Sequence, residues 1–130
     1  MIKDQKEKNK ISSVEELEVF KRSHQLTFEI YKITEKFPKS EKFGLISQMR
    51  RAAASIATNL IEGSHRLNRT EYRYFVGVAK GSAGELKYQF LLVKDLGYLS
   101  DNEYLTFKAE VGEISRMLSG LVKSLSSSRH

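Results

Sequence analysis

The sequence predicts an all-α protein, an antiparallel up-down-up-down four-helix bundle. Three observations carry this prediction. Four segments repeat apolar residues at i, i+3, i+4 and i+7, the spacing that places them on one helix face. Three of the four open on Ser or Asn with Glu three residues later, a pattern in which hydroxyl or amide and carboxylate satisfy orphan amides of the first turn. One proline and eight glycines in 130 residues leave little material for the turns of an all-β fold. The length is that of a single domain. Residues 1–12 are expected to be a disordered basic tail, 13–125 the bundle, and 126–130 a disordered C-terminal tail ending in His130.

Helix one is expected to start at the box formed by Ser13 and Glu16 and to end before Pro38, because the residue preceding a proline is pushed out of the α region. It carries two apolar stripes. Val19, Leu26, Ile30, Ile33 and Phe37 form one, and Leu17, Phe20, Phe28 and Tyr31 the other, with His24 on the second as a packed or interface residue rather than a ligand. One bundle core needs one stripe, so the second predicts burial on another side and hence self-association.

Helix two is expected over 41–63, with Leu45, Ile46, Met49, Ala52, Ala53, Ile56 and Leu60 inward. Gln48, Arg51, Ser55, Asn59 and Glu62 form a polar ladder on the other side, either a solvated surface or a hydrogen-bonded seam. Helix three opens after Asn68 and Glu71 and buries Tyr72, Val76, Ala79, Ala83, Leu86, Phe90 and Val93. Gly77, Gly81 and Gly84 share a neighbouring line. Each costs about 1 kcal/mol against alanine in a helix, which predicts a close approach by another helix to offset it. Gly97 is the natural residue just past the helix end. Helix four opens on Ser100 and Glu103 and buries Tyr104, Phe107, Val111, Ile114, Leu118, Leu121 and Leu125.

Several function classes have no support. The chain has no cysteine, which excludes disulfides and thiolate metal sites and fits a reducing cytoplasm. No apolar run approaches the roughly 18 residues of a transmembrane helix, and the charged N-terminus lacks the apolar stretch of a secretory signal, so no membrane role is expected. Glu62 and His65 have the E-x-x-H spacing of di-iron bundles, but such sites need two of these motifs and two further carboxylates. No phosphate-binding loop, dinucleotide fingerprint or nucleophile elbow is present. The expectation is no catalytic residue, no metal and no cofactor.

The formal net charge is +6, a balance suited to acidic partners such as nucleic acid. Arg50 and Arg51 are adjacent on helix two, Arg66, Arg69 and Arg73 surround the junction between helices two and three, and Lys80 follows two turns on. These six are the candidate phosphate contacts, with Tyr72 and Tyr74 interleaved as stacking surfaces. Plain solvated charge is the competing reading. Tyr72 fits the core stripe, and Glu62 and Glu85 stand within pairing range of Arg51 in a bundle.

The run from Gln48 to Ile56, then Asn59 to Ser64, resembles the 23S rRNA-intervening-sequence protein family. Phe75, the run Ala79 to Leu86, Gln89 and the run Leu96 to Leu99 add to it, as do Phe37, Pro38, Glu41, Gly44 and Leu45. The resemblance spans about Phe20 to Leu125. Leu60 and Ile61 depart from the usual pair before Glu-Gly, and Gly84 stands where leucine is common. What the resemblance implies is an antiparallel four-helix bundle assembled into a ring-like homopentamer, with the glycine line and the second stripe as packing surfaces. The family is named for reading frames inside insertions of large-subunit rRNA genes. Its relatives include accessory variability determinant proteins of diversity-generating retroelements, which resemble basic barrels that bind nucleic acid and a reverse transcriptase. Enzymatic activity is not implied.

The expectation is therefore a cytoplasmic, non-enzymatic homo-oligomer that binds RNA or DNA, or an RNA-handling partner such as a reverse transcriptase. The alternative is a purely structural homo-oligomer with no nucleic-acid role. A metal-dependent bundle enzyme is a distant third.

Overall fold

The computed structural model describes Val14 and residues 17–126, and among them every regular element is helical. Four helices make the fold: α1 (Glu18–Thr34), α2 (Ser47–Ser64), α3 (Arg69–Asp95) and α4 (Asp101–Ser126). A 3-10 turn, Lys39–Glu41, and a π-helical turn, Lys42–Ile46, join α1 to α2. The expected tails 1–12 and 127–130 and the Ser13–Glu16 box lie outside the described residues, whereas Ser126 is the last residue of α4 rather than part of a tail.

Contacts between the helices fix their directions. Ser82 on α3 donates to Ser55 on α2, while Tyr72 and Phe75 near the start of α3 flank Gly63 near the end of α2. Arg69 at the start of α3 reaches the Ser124 carbonyl at the end of α4, and Phe90 stacks on Phe107 near its start. Lys36 just past α1 pairs with Glu103, and Arg22 near its start approaches Glu110. In each pair rising numbers meet falling ones, so neighbours run antiparallel. α2 packs on α3, α3 on α4, and α1 lies against both α2 and α4.

The core follows the apolar periodicity, with Leu45, Ile46, Tyr72, Tyr104, Leu121 and Leu125 half-buried at its edges rather than inside it. Val76, Ala79, Ala83, Leu86, Phe90 and Val93 of α3 are buried, as are Met49, Ala52, Ala53, Ile56 and Leu60 of α2. Val111, Ile114 and Leu118 of α4 and Val19, Leu26 and Ile30 of α1 close it. Two polar residues of α1 are buried at no net loss of hydrogen bonds, Ser23 donating to the Val19 carbonyl and Thr34 to that of Ile30. Gln89 is also buried, and its Oε1 has no hydrogen-bond partner among the described residues.

Helix ends follow their local chemistry. The Asn68 side chain accepts from the Glu71 amide at 2.9 Å. At α4 the box is reciprocal: the Glu103 carboxylate accepts from the Ser100 amide, and the Ser100 hydroxyl from the Glu103 amide. The Ser100 amide and then Lys36 hold the Glu103 carboxyl below its usual range. Gly97, at φ 84°, closes α3. Its amide donates to Lys94 and that of Tyr98 to Val93, the paired bonds of a Schellman motif.

Two expectations need correction. Helix two does not begin at Glu41, because Gly44 leaves helical geometry (φ −108°, ψ −110°) and regular α-helix starts only at Ser47. Glu41 is used instead to accept from the Leu45 amide and the Tyr98 hydroxyl, tying this turn to the end of α3. None of this chain's described helices approaches the glycine line of α3: a Cβ at Gly77, Gly81 or Gly84 would find no atom of the described residues within 4 Å, which leaves an approach by a second copy untouched. The close approach falls at Gly63, buried inside the last turn of α2, where a Cβ would lie 2.9 Å from Phe75 Cβ and from Tyr72 Cδ1.

Gly63→Val is accordingly expected to overpack the contact between α2 and α3 and to lower stability by roughly 1–3 kcal/mol. Urea unfolding followed by circular dichroism checks it, and an unchanged midpoint would remove the close-packing role of Gly63.

Candidate nucleic-acid interface

The six basic residues singled out from the sequence do not form one surface. Arg50 and Arg51 sit near the start of α2, about 21 Å from its far end at the helical rise per residue; Arg66 and Arg69 lie beyond that end, and Arg73 is on α3 beside it. Lys80 is exposed midway along α3, with no ion pair among the described residues.

Three of the arginines are committed to the fold. Arg50 is half-buried. Its Nε donates to Thr34 Oγ1 at 2.9 Å and its Nη2 to the Tyr31 carbonyl at 3.0 Å, while its guanidinium lies 4.5 Å from the Tyr31 ring centroid. A cation therefore caps the C-terminal end of α1, where the helix dipole favours positive charge. Arg66 pairs with Glu62 at 2.7 Å and lies over the Phe75 ring. Arg69 donates to the Ser124 carbonyl at 3.0 Å, doing for the last turn of α4 what Arg50 does for α1. Arg73 is half-buried in a shallow groove with Tyr74, Gly77, Val78 and Val122. Tyr72 is half-buried against the core, and burial raises its hydroxyl above the usual range, whereas Tyr74 is exposed and meets Phe75 edge-on.

Arg51 remains at the surface. Its Nη2 donates to Ser47 Oγ at 3.1 Å, and among the described residues it makes no ion pair with Glu62 or Glu85. It borders a cleft that also takes in Lys42, Arg50, Tyr31, Phe43 and Ser47, floored by Ile46 and Ala54. Among the described residues no carboxylate lines this cleft, while on its other side Arg51 borders a smaller hollow shared with Gln48, Ser55, Ser82 and Glu85. Phe43 is 89% exposed and Tyr31 45%, with Lys42 over the Phe43 ring at 5.4 Å. One turn back along α1, Phe28 is also exposed and carries Lys32 over its ring. Lys42 and Phe43 were missed because the segment reads as the first turn of a helix. The available signal was that Phe43 falls off that helix's apolar stripe. The polar ladder of α2 divides: Ser55 and Asn59 bond to each other, and Ser55 accepts from Ser82, whereas Gln48, Arg51 and Glu62 face solvent.

The E-x-x-H pair is spent on other contacts. Glu62 holds Arg66, and His65 Nδ1 lies 3.0 Å from the Ile61 carbonyl. No group of three His, Asp or Glu side chains stands close enough to hold a metal ion among the described residues. His24 is exposed and stacks on Phe20. No helix among the described residues is long and apolar enough to cross a membrane.

The model of the 23S rRNA-intervening sequence protein family matches residues 15–120. Among solved structures, the chain is similar to a protein of unknown function from the S23 ribosomal protein family of Bacteroides thetaiotaomicron. The TM-score is 0.75 and the identity 22%, over 81% of this chain and 95% of that one. That likeness supports the helical fold. No curated protein matches the chain.

Arg50→Ala should unpin the end of α1 and cost about 1–3 kcal/mol, because it removes two hydrogen bonds from a charged donor. Arg51→Ala should stay within about 0.5 kcal/mol, as surface substitutions do. Urea midpoints of the two variants test this. Equal midpoints would refute the anchoring role of Arg50.

Proposed function

The chain belongs to the 23S rRNA-intervening sequence protein family, and from that membership we propose that it is a non-enzymatic, self-associating bundle of the cytoplasm that binds RNA through phosphate contacts. The observation that carries this reading is the cleft at the start of α2, where the exposed Lys42 and Arg51 stand beside the anchored Arg50 and, among the described residues, no carboxylate lines the cleft. Cations left without acidic partners and facing solvent are what a phosphate backbone pairs with, releasing its counterions. The resemblance to accessory variability determinant proteins adds a reverse transcriptase as the RNA-handling partner to test.

The self-association belongs to the same proposal, with a homopentamer as the assembly the resemblance implies. It is supported by the outward side of α3, where Gly77, Gly81 and Gly84 are open and Tyr74, Tyr88 and Leu91 are exposed. The same face favours the second reading, a structural homo-oligomer whose charge only keeps it dispersed.

Fluorescence anisotropy of a labelled single-stranded RNA across a salt series separates the two. Binding should weaken with salt, with a log–log slope near −0.7 per phosphate neutralised. Replacing Lys42 and Arg51 by alanine should flatten the slope by roughly 1.4, whereas replacing Arg66 and Arg69 should leave it in place. Absence of binding at low salt would leave the structural oligomer.

Light scattering at micromolar concentration should give a mass several times 14.9 kDa. Gly81→Leu should reduce that mass while keeping the helical circular dichroism signal, since leucine is the better helix former and only an assembled face would object to its bulk. A wild-type monomer would end the self-association proposal.

A further inference from the structure

We propose that the cleft between α1 and α2 is a stacking site for unpaired bases of single-stranded RNA, with Phe43 and the Tyr31–Arg50 pair as its platforms. The inference rests on the RNA reading above and gives it a site and a substrate class.

Phe43 is the starting observation. A phenylalanine 89% exposed on a short π-helical turn contributes little to the core. It is presented on a turn whose position is set elsewhere, through the Glu41 bonds to Leu45 and Tyr98. The second platform is preformed. Arg50 is held by the hydroxyl of Thr34 and the carbonyl of Tyr31, and it lies against the Tyr31 ring at 4.5 Å. Bases stack on aromatic faces and on guanidinium planes alike, and a platform fixed before binding loses little entropy when it binds.

The surroundings select the ligand. Lys42, Arg50 and Arg51 border the two aromatic rings, and no acid lines the cleft among the described residues. Flat apolar faces interleaved with cations fit a chain that alternates flat bases with anionic phosphates. A double helix keeps its base faces stacked internally, so the strand must be unpaired. A self-complementary contact with a second copy through this cleft would set its cations against themselves. The recognition is tolerant of sequence, because every base has a face to stack and the cleft is not built around one base edge.

The test compares two strands of equal length, labelled oligouridine and an abasic ribose-phosphate chain, on the full-length protein at low salt. Wild type should bind oligouridine roughly tenfold or more tighter than the abasic strand. Phe43→Leu, which keeps an apolar side chain but removes the flat ring, should erase most of that preference while leaving abasic binding unchanged, and Phe43→Tyr should restore it. Circular dichroism and light scattering accompany each variant. Equal binding of the two strands by wild type, or an undiminished preference in Phe43→Leu, overturns the stacking site and leaves phosphate binding standing. A change of mass in Phe43→Leu also overturns it, by placing the ring in a contact between subunits. Failure of wild type to bind either strand overturns the RNA reading itself.

Discussion

α2 and α4 both pack against one buried stripe of α3, and the rest of the bundle is arranged around that shared contact. The stripe runs from Val76 to Val93 and combines small residues, Ala79 and Ala83, with Leu86 and Phe90. Alanines let neighbouring helices come close, and Phe90 fills the wider end against Phe107. α1 completes the ring by touching α2 and α4. Because α3 commits one side inward along its 27 residues, its opposite side stands outside the chain's own packing, which is why the glycine line and Tyr74, Tyr88 and Leu91 face out.

The same packing sorts the positive charges. Antiparallel neighbours bring the carbonyl-rich end of one helix beside the start of the next. An arginine at such a start finds acceptors within reach and a favourable dipole. Arg50 beside the end of α1 and Arg69 beside the end of α4 are two instances, and Arg66 pairs within its own turn. The cations at the mouth of the α1–α2 cleft are placed differently. Lys42 projects from a turn, Arg51 is one residue round the helix from Arg50, and among the described residues neither makes an ion pair, although Glu85 lines the hollow on the other side of Arg51. Net charge therefore overstates the surface available to a polyanion, and the position of each cation in the packing decides its use.

Much of the fold was legible in the sequence. The inward stripes of α2, α3 and α4, the cap at Asn68, the box at Ser100 and the left-handed Gly97 follow from spacing and from residue chemistry within a few positions. Each is a local property of the chain, set by helical periodicity or by a side chain bonding its own backbone. The break at Gly44 was not legible, because the apolar pattern of Leu45 and Ile46 runs on across it.

The candidate site was legible only in part. Composition supplied the basic residues and the second stripe supplied Tyr31. Which arginines are spent depends on acceptors 19 residues away for Arg50 and 55 for Arg69. Which glycine meets a neighbour within the chain is a matter of how two helices cross: the spacing singled out Gly77, Gly81 and Gly84, while the packing chose Gly63. Phe43 and Lys42 join Tyr31 and Arg50 only because α1 and α2 fold back on each other around a turn. The sequence by itself determined the helices and the faces they bury, since periodicity acts along the chain. The tertiary structure alone decided which of the remaining faces and charges stay free, since that depends on what the rest of the chain brings alongside.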